Sequence, residues 1–242
     1  MKIVKPRIVL VDNVNGEKVL RKLEKMGRIC YQSQPGEEIE STERFVSSII
    51  RRGHTSVLEH VSFTFIITTD RGVTHELVRH RISSFSQEST RYVKYDNGKM
   101  EYIEPVEMEQ GSPEYSMWLQ SCLNDEKIYC EMMEIGAKAQ VARAVLNNSL
   151  KTQIAYTANI RSLRNFFTLR CDKAAHPHIK EIAIPMLLYM RELVPVVFDD
   201  IGYDQEFYNQ YLSEGRWVDY IEDEFHDPVA ISHCDRVDIG ED

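Results

Sequence analysis

The sequence predicts an α+β fold, a single domain in which a mixed or antiparallel sheet packs with helices, and three observations carry that prediction. Helical and strand-like segments intermingle without the regular βα alternation of a doubly wound sheet. Several segments place apolar residues at helical spacing, while others alternate with a period of two. The 242 residues, 43% hydrophobic and 28% charged, show ordinary globular usage with no internal repeat or low-complexity linker.

The elements follow in order. Val9 to Val11 and their neighbours suggest a first strand. "GEKVLRKLEKMGRICY" carries Val19, Leu20, Leu23 and Met26 at helical spacing. "STERFVSSIIRRG" puts Phe45, Val46, Ile49 and Ile50 on one helical face, with Ser41 or Thr42 as the cap and Gly53 as the stop. "VSFTFIITT" alternates Val61, Phe63, Phe65 and Ile67 as a strand. "GVTHELVRHR" returns to helical spacing and places Arg79 to Arg81 at a helix C-terminus, followed by a loop over 82–91. Asn97-Gly98 is a hairpin signal. "SPEYSMWLQSCLNDEKIYCEMMEIG" reads as a long helix begun by Ser112-Pro113, and "AKAQVARAVLNN" as a shorter one. "SLKTQIAYTANI" reads as a strand, and "RSLRNFFTLR" as a helix. In the helical stretch "HIKEIAIPMLLYMRELVPVVF", Pro185 forces a kink or a new start. Past Phe198 the composition turns acidic and patchily aromatic, which suggests an appended helix and a loose tail. The expected division is a domain over 1–202 and an acidic extension over 203–242, of unknown role, packed at the outer rim of an oligomer.

The formal net charge of -9 argues against nonspecific nucleic-acid binding, which needs surplus Lys and Arg. It leaves room for a phosphorylated small molecule in a local basic pocket. No apolar run approaches the roughly 20 residues of a membrane span, and the N-terminus lacks a signal-peptide pattern. Five cysteines without a CxxC pair suit a reducing cytoplasm better than disulfides or zinc. The histidine pairs 54/60, 75/80 and 176/178 lack the i, i+4 spacing of a helical metal motif, so no metal site is expected. GxGxxG, GxxxxGK[ST] and GxSxG are all absent.

One stretch stands against the acidic background: "RHRISSFSQESTR" at 79–91. A guanidinium grips phosphate with two prongs, hydroxyls add donors, and Ser89 and Arg91 share one side of an extended chain. A surface loop with incidental charges is the competing reading, disfavoured by the density of donors. "NIRSLRNFFTLR" at 159–170 forms a second polar cluster; locally it is equally an amphipathic helix whose arginines face water. "RGHTSVLEHVSFTF" places His54, Ser56, Glu59 and His60 at the mouth of a strand, where a ligand site and a solvated pair are both admissible.

Together these segments resemble the flavin-dependent thymidylate synthases. That family's signature is Arg-His-Arg, two residues, Ser, one, Asn, two, Ser, one, Arg; Arg79, His80, Arg81, Ser84, Ser89 and Arg91 meet it. Ser86 stands where the pattern has Asn, and Gln87 where an acidic residue is frequent. "RICY" at 28–31, "GHTSVLEHVSFTF" at 53–65, "VARAVL" at 141–146 and "NIRSLRNFFTLR" follow in the family's order, over roughly residues 1–200, with "AAHPHIKEI" at 174–182 a looser match.

The resemblance implies conversion of dUMP to dTMP without a cysteine nucleophile. Methylenetetrahydrofolate would supply the carbon, and FAD reduced by NADPH the hydride. It implies that Ser56, Arg79, His80, Arg81 and Gln87 contact FAD, with Asn159, Arg161 and Asn165 from another subunit and His54 near flavin and folate. It further implies that Glu76, Arg79, Gln87, Ser89, Arg91, Arg143 and Arg170 hold dUMP, with Arg170 against the uracil as the catalytic cation. Glu76 would replace an amide. Ser89 lacks an adjacent base and is expected as a ligand, not a nucleophile. A cytoplasmic homotetramer with active sites between subunits is expected, with neither nucleic acid nor membrane as a partner.

Overall fold

The computed structural model describes residues 1–95, 100–213 and 215–228. Its frame is two long strands, β3 (Ser62–Asp70) and β6 (Lys151–Asn159), where β numbering follows chain order from β1 (Lys2–Val4) and β2 (Arg7–Leu10). They pair antiparallel over their whole length, Ser62 opposite Asn159 and Asp70 opposite Lys151. Period-two alternation decides the register, because Phe63, Phe65 and Ile67 of β3 and Ile154, Tyr156 and Ala158 of β6 must share the buried face. With β4 (Ser84–Gln87) and β7 (Ile221–Asp223) the order is β4-β6-β3-β2-β7, antiparallel except where β7 joins β2 in parallel. A separate parallel pair joins β1 to β5 (Glu101–Ile103).

Helix α1 (Gly16–Tyr31) is capped by Asn15, whose side chain accepts from Lys18 N, and helix α2 (Ile39–Arg51) packs beside it. Helix α7 (Pro177–Leu193) is buried on nearly every face, from Ile179 to Leu193, and is the centre of the main core. An apolar circumference of that kind has no solvent side, which is why its sequence lacks an amphipathic stripe. A smaller core lies under α4 (Pro113–Glu134), where Cys122 and Tyr129 meet Tyr95, Met100 and Tyr102.

Two short helices grow out of the long strands. Asp70, the last residue of β3, caps α3 (Arg71–Leu77) by accepting from Val73 N at 2.7 Å. Asn159, the last of β6, caps α6 (Ile160–Arg170) by accepting from Ser162 N at 2.9 Å. Because β3 and β6 are antiparallel, the helices start from opposite ends of the strand pair, and their last turns meet.

Several expectations need correction. The stretch 82–91 contains β4, an edge strand whose polar face reads as loop in sequence. Helix α2 starts before Ser41 and Thr42, at a Glu38 cap without a side-chain bond; Gly53 does follow it, with φ +72°. The helix expected over "AKAQVARAVLNN" is only α5 (Ala139–Ala142) plus a 3-10 turn at Arg143–Val145. Of the two outcomes expected at Pro185, a new start is ruled out, because α7 continues through it as one helix. Asn97-Gly98 lies outside the described residues. Finally, residue 203 is not a boundary of packing. Phe207, Leu212, Trp217 and Ile221 belong to the main core, and Lys180 of α7 holds Asp204 at 2.8 Å in a buried ion pair. Tyr189 donates to Asp223, and His226 Nε2 bonds the Val14 carbonyl at 2.7 Å. The described part of the acidic segment is an edge of the same domain.

Candidate functional site

Where the last turns of α3 and α6 meet, a cleft of 690 Å³ opens, lined by Arg79, His80, Arg81 and Ser83 on one side. Asn159, Arg161, Ser162, Asn165 and Arg170 line the other, with Glu59 at the rim. Partial negative charge gathers at helix C-termini, so cations just past α3 and at the end of α6 are favoured there. A larger groove of 880 Å³ lies beside the end of α1 and the Gln32–Gly36 turn, but holds none of the signature residues.

Arg170 organises the cleft. Its Nε donates to His80 Nε2 at 3.0 Å and its Nη1 to Glu76 Oε2 at 2.7 Å, bridging 90 and 94 residues of chain. Burial, and then the Arg170 charge, push the His80 imidazole down to about 4, so it is neutral at pH 7. As acceptor at Nε2, it carries its proton on Nδ1. The Phe166 ring meets it edge-on at 5.1 Å between centroids.

The cleft has more donors than acceptors. Four guanidiniums face Glu59 alone among carboxylates of the lining. Glu59 pairs with Arg161 at 2.5 Å, half in solvent, an arrangement worth little energy. The side chains of Arg79 and Arg81 make no hydrogen bond or ion pair among the described residues. Ser83 Oγ, in the lining, is buried beside the Tyr156 hydroxyl, and the two are polar neighbours of each other. The unpaired guanidiniums and the amides of this cleft together fit a large ligand carrying phosphate and several polar ring atoms.

A second basic patch lies apart. Arg143 Nη1 donates to Thr90 Oγ1 at 3.2 Å, which sets it against the Ser89–Arg91 turn. Arg91 also lines a separate cleft of 480 Å³ with Lys94 and Lys138. Ser89 Oγ accepts from Arg91 N at 3.3 Å, and no base addresses it. Gln87 is turned inward, its Nε2 donating to Thr74 at 2.9 Å and to Thr152 at 3.4 Å.

Of the residues singled out in sequence, the first cleft thus gathers Arg79, His80, Arg81, Asn159, Arg161, Asn165 and Arg170, all from one chain. Glu76 stands behind Arg170. Ser89, Arg91 and Arg143 form the second patch. His54 caps a 3-10 turn (Thr55–His60) and bonds the Tyr31 hydroxyl at 2.7 Å; Ser56 is exposed on that turn, and neither lines the cleft. Arg164 is structural: it forks onto Asp200 at 2.6 Å and reaches the Val197 carbonyl. Ser83 and Thr90 lie within the hydroxyl-rich stretch 79–91 but have no individual role in the sequence reading, which misses Ser162. Ser162 has a local signal too, its place three residues after the Asn159 helix cap. Among the described residues, no cluster of His, Cys, Asp and Glu is arranged to hold a metal, and no helix is long and apolar enough to cross a membrane.

The chain is similar over most of its length to proteins of one family. A family model described as thymidylate synthase complementing protein matches residues 10–196. A protein of Geobacter sulfurreducens named flavin-dependent thymidylate synthase is 36% identical over 185 residues, covering 72% of this chain and 78% of its own. Proteins of the same name from Clostridium tetani and Nitratidesulfovibrio vulgaris are 35% and 38% identical. The first covers 78% of this chain and 83% of its own; the second covers 68% and 70%.

Proposed function

The chain belongs to the flavin-dependent thymidylate synthase family, and from that premise we propose how its residues divide the work. The reaction converts dUMP to dTMP with methylenetetrahydrofolate as one-carbon donor and FAD, recharged by NADPH, as the source of hydride. FAD, when bound, supplies the redox chemistry that no side chain can.

Arg79, His80 and Arg81 with Asn159, Arg161 and Asn165 hold the flavin, their unpaired guanidiniums taking its pyrophosphate. His54 and Ser56, one turn away, approach it or the folate from the rim. Arg170 and Arg79 meet the uracil side of dUMP. Ser89, Arg91 and Arg143 meet its phosphate, with Gln87 anchoring the end of β4, from which the chain leads into the Ser89–Arg91 turn. As the pyrimidine is activated it gains negative charge, and Arg170 stabilises that charge at a fixed position. Neutral His80 serves this by accepting from Arg170 Nε without adding a second cation. No cysteine lines either cleft among the described residues, and burial raises the Cys122 thiol to about 11. That supports a reaction without a cysteine nucleophile.

The two basic patches lie in separate clefts of one chain. A nucleotide gripped by both is accommodated by pairing one patch with the other patch of a second copy, which favours a homotetramer with active sites between subunits. Its place of work is the cytoplasm, in keeping with free thiols.

The observation that carries this reading is the meeting of Arg79–Arg81 with Asn159, Arg161, Asn165 and Arg170 in one donor-rich cleft. Its test is an absorption spectrum of the purified protein, before and after FAD and then dUMP. Flavin bands perturbed by dUMP are expected. Absence of flavin binding by the intact oligomer would sink the assignment.

A further inference from the structure

Glu76 is the only carboxylate of α3, and it faces two ways. Its Oε2 accepts from Arg170 Nη1 at 2.7 Å, and its Oε1 lies 4.0 Å from His176 Nδ1. His176 packs edge-on against His178, centroids 4.8 Å apart, and His178 Nδ1 bonds Asp70 Oδ2 at 2.8 Å. Asp70 is buried and spends its other oxygen on the α3 cap. Burial lowers His178, but the bond to Asp70 and the charges of Asp70, Glu181 and Glu107 outweigh it, so its net shift is upward. The array fastens the start of α7 to both ends of α3, with Glu76 as its outermost member.

On the far side, His80 holds Arg170 Nε. Two of the three guanidinium nitrogens are therefore pinned, and Nη2 makes no hydrogen bond among the described residues. A planar group held at two points has one orientation left to present. A carboxylate turned toward dUMP would oppose a substrate that already carries phosphate and gains further negative charge in its ring. Bound to Arg170, the same carboxylate is neutralised and does not.

Resting on the assignment of Arg170 to the uracil side, we infer that Glu76 is a positioning residue for Arg170 and makes no contact of its own with the nucleotide. Orientation of this kind matters because small misplacements of a reacting group cost rate steeply.

The test is a double-mutant cycle on dUMP affinity, measured by calorimetry on the FAD-loaded protein, with kcat and KM measured in parallel. Glu76→Ala is expected to weaken dUMP binding about tenfold and to cost nothing further in an Arg170→Lys background, since only coupled residues lose additivity. Glu76→Gln, which keeps an acceptor oxygen, is expected to recover most of the loss, and Glu76→Leu, which has none, takes the place of the alanine variant in the cycle if that variant does not fold. Losses that multiply across the cycle would mean that Glu76 touches the nucleotide itself, overturning the inference while Arg170 keeps its role. If Arg170→Lys alone leaves dUMP affinity and turnover unchanged, the assignment of Arg170 has failed and the inference falls with it.

Discussion

Between two arginines, His80 is held uncharged. Removal from water disfavours the imidazolium, and Arg170 beside it adds repulsion, so its value falls from 6.5 to about 4. The consequence for stability has a definite sign. Between those two values the unfolded chain binds a proton that the folded chain refuses, so stability falls as pH drops through 6.5 and levels off near 4. Above 6.5 the residue makes no such contribution. We expect wild type to lose thermal stability over this interval more steeply than His80→Asn, which cannot titrate. Identical slopes, or an NMR titration finding the His80 imidazole charged at pH 6, would contradict the neutral assignment. The same neutrality has a functional side. A charged His80 would have no lone pair for Arg170 Nε, and the guanidinium would lose one of its two anchors.

At the scale of elements, the fold places chemistry by ending strands in caps. Asp70 and Asn159 each close a strand and open a helix, and the antiparallel β3–β6 pair then brings the two helix ends together. The last segments act differently, by closing the sheet. Trp217 is 6% exposed and belongs to the main core, while β7 covers the outer edge of β2. Trp217→Ala is expected to cost about 3–5 kcal/mol and to lower the melting temperature by roughly 10 °C. An unchanged melt would show the segment to be peripheral after all. The two long strands and most of the main helices were legible in sequence because burial imposes a period on nine residues or more. β4 and β7 were not. They have four and three residues, with polar side chains at an edge, and their pairing partners lie some 70 to 210 residues away. For the site, the signature named the arginines, but no local pattern could show that Glu76 and His80 clasp Arg170.

At the scale of the molecule, an acidic surface surrounds two basic patches that a single chain keeps in separate clefts. Such a background confines attraction for anions to the clefts. If each working site takes Arg170 from one copy and Arg143 from another, then two inactive variants contain between them every part of an intact site. Arg170→Ala spoils one half and Arg143→Ala the other. In mixed oligomers assembled at random from equal amounts, a site needs its Arg170 half from one variant and its Arg143 half from the other, one chance in two for each. About a quarter of wild-type activity should then return on mixing, a direct consequence of symmetric assembly with shared sites. Each variant alone should stay far below that level, since Arg170→Ala removes a transition-state donor, worth about 10²–10³ in rate, and Arg143→Ala removes a charge-assisted grip on the substrate phosphate. Co-expression of the two chains followed by a turnover assay measures this. A mixture no more active than its components would place both halves of each site within one copy, and the separation of the two clefts would need another explanation.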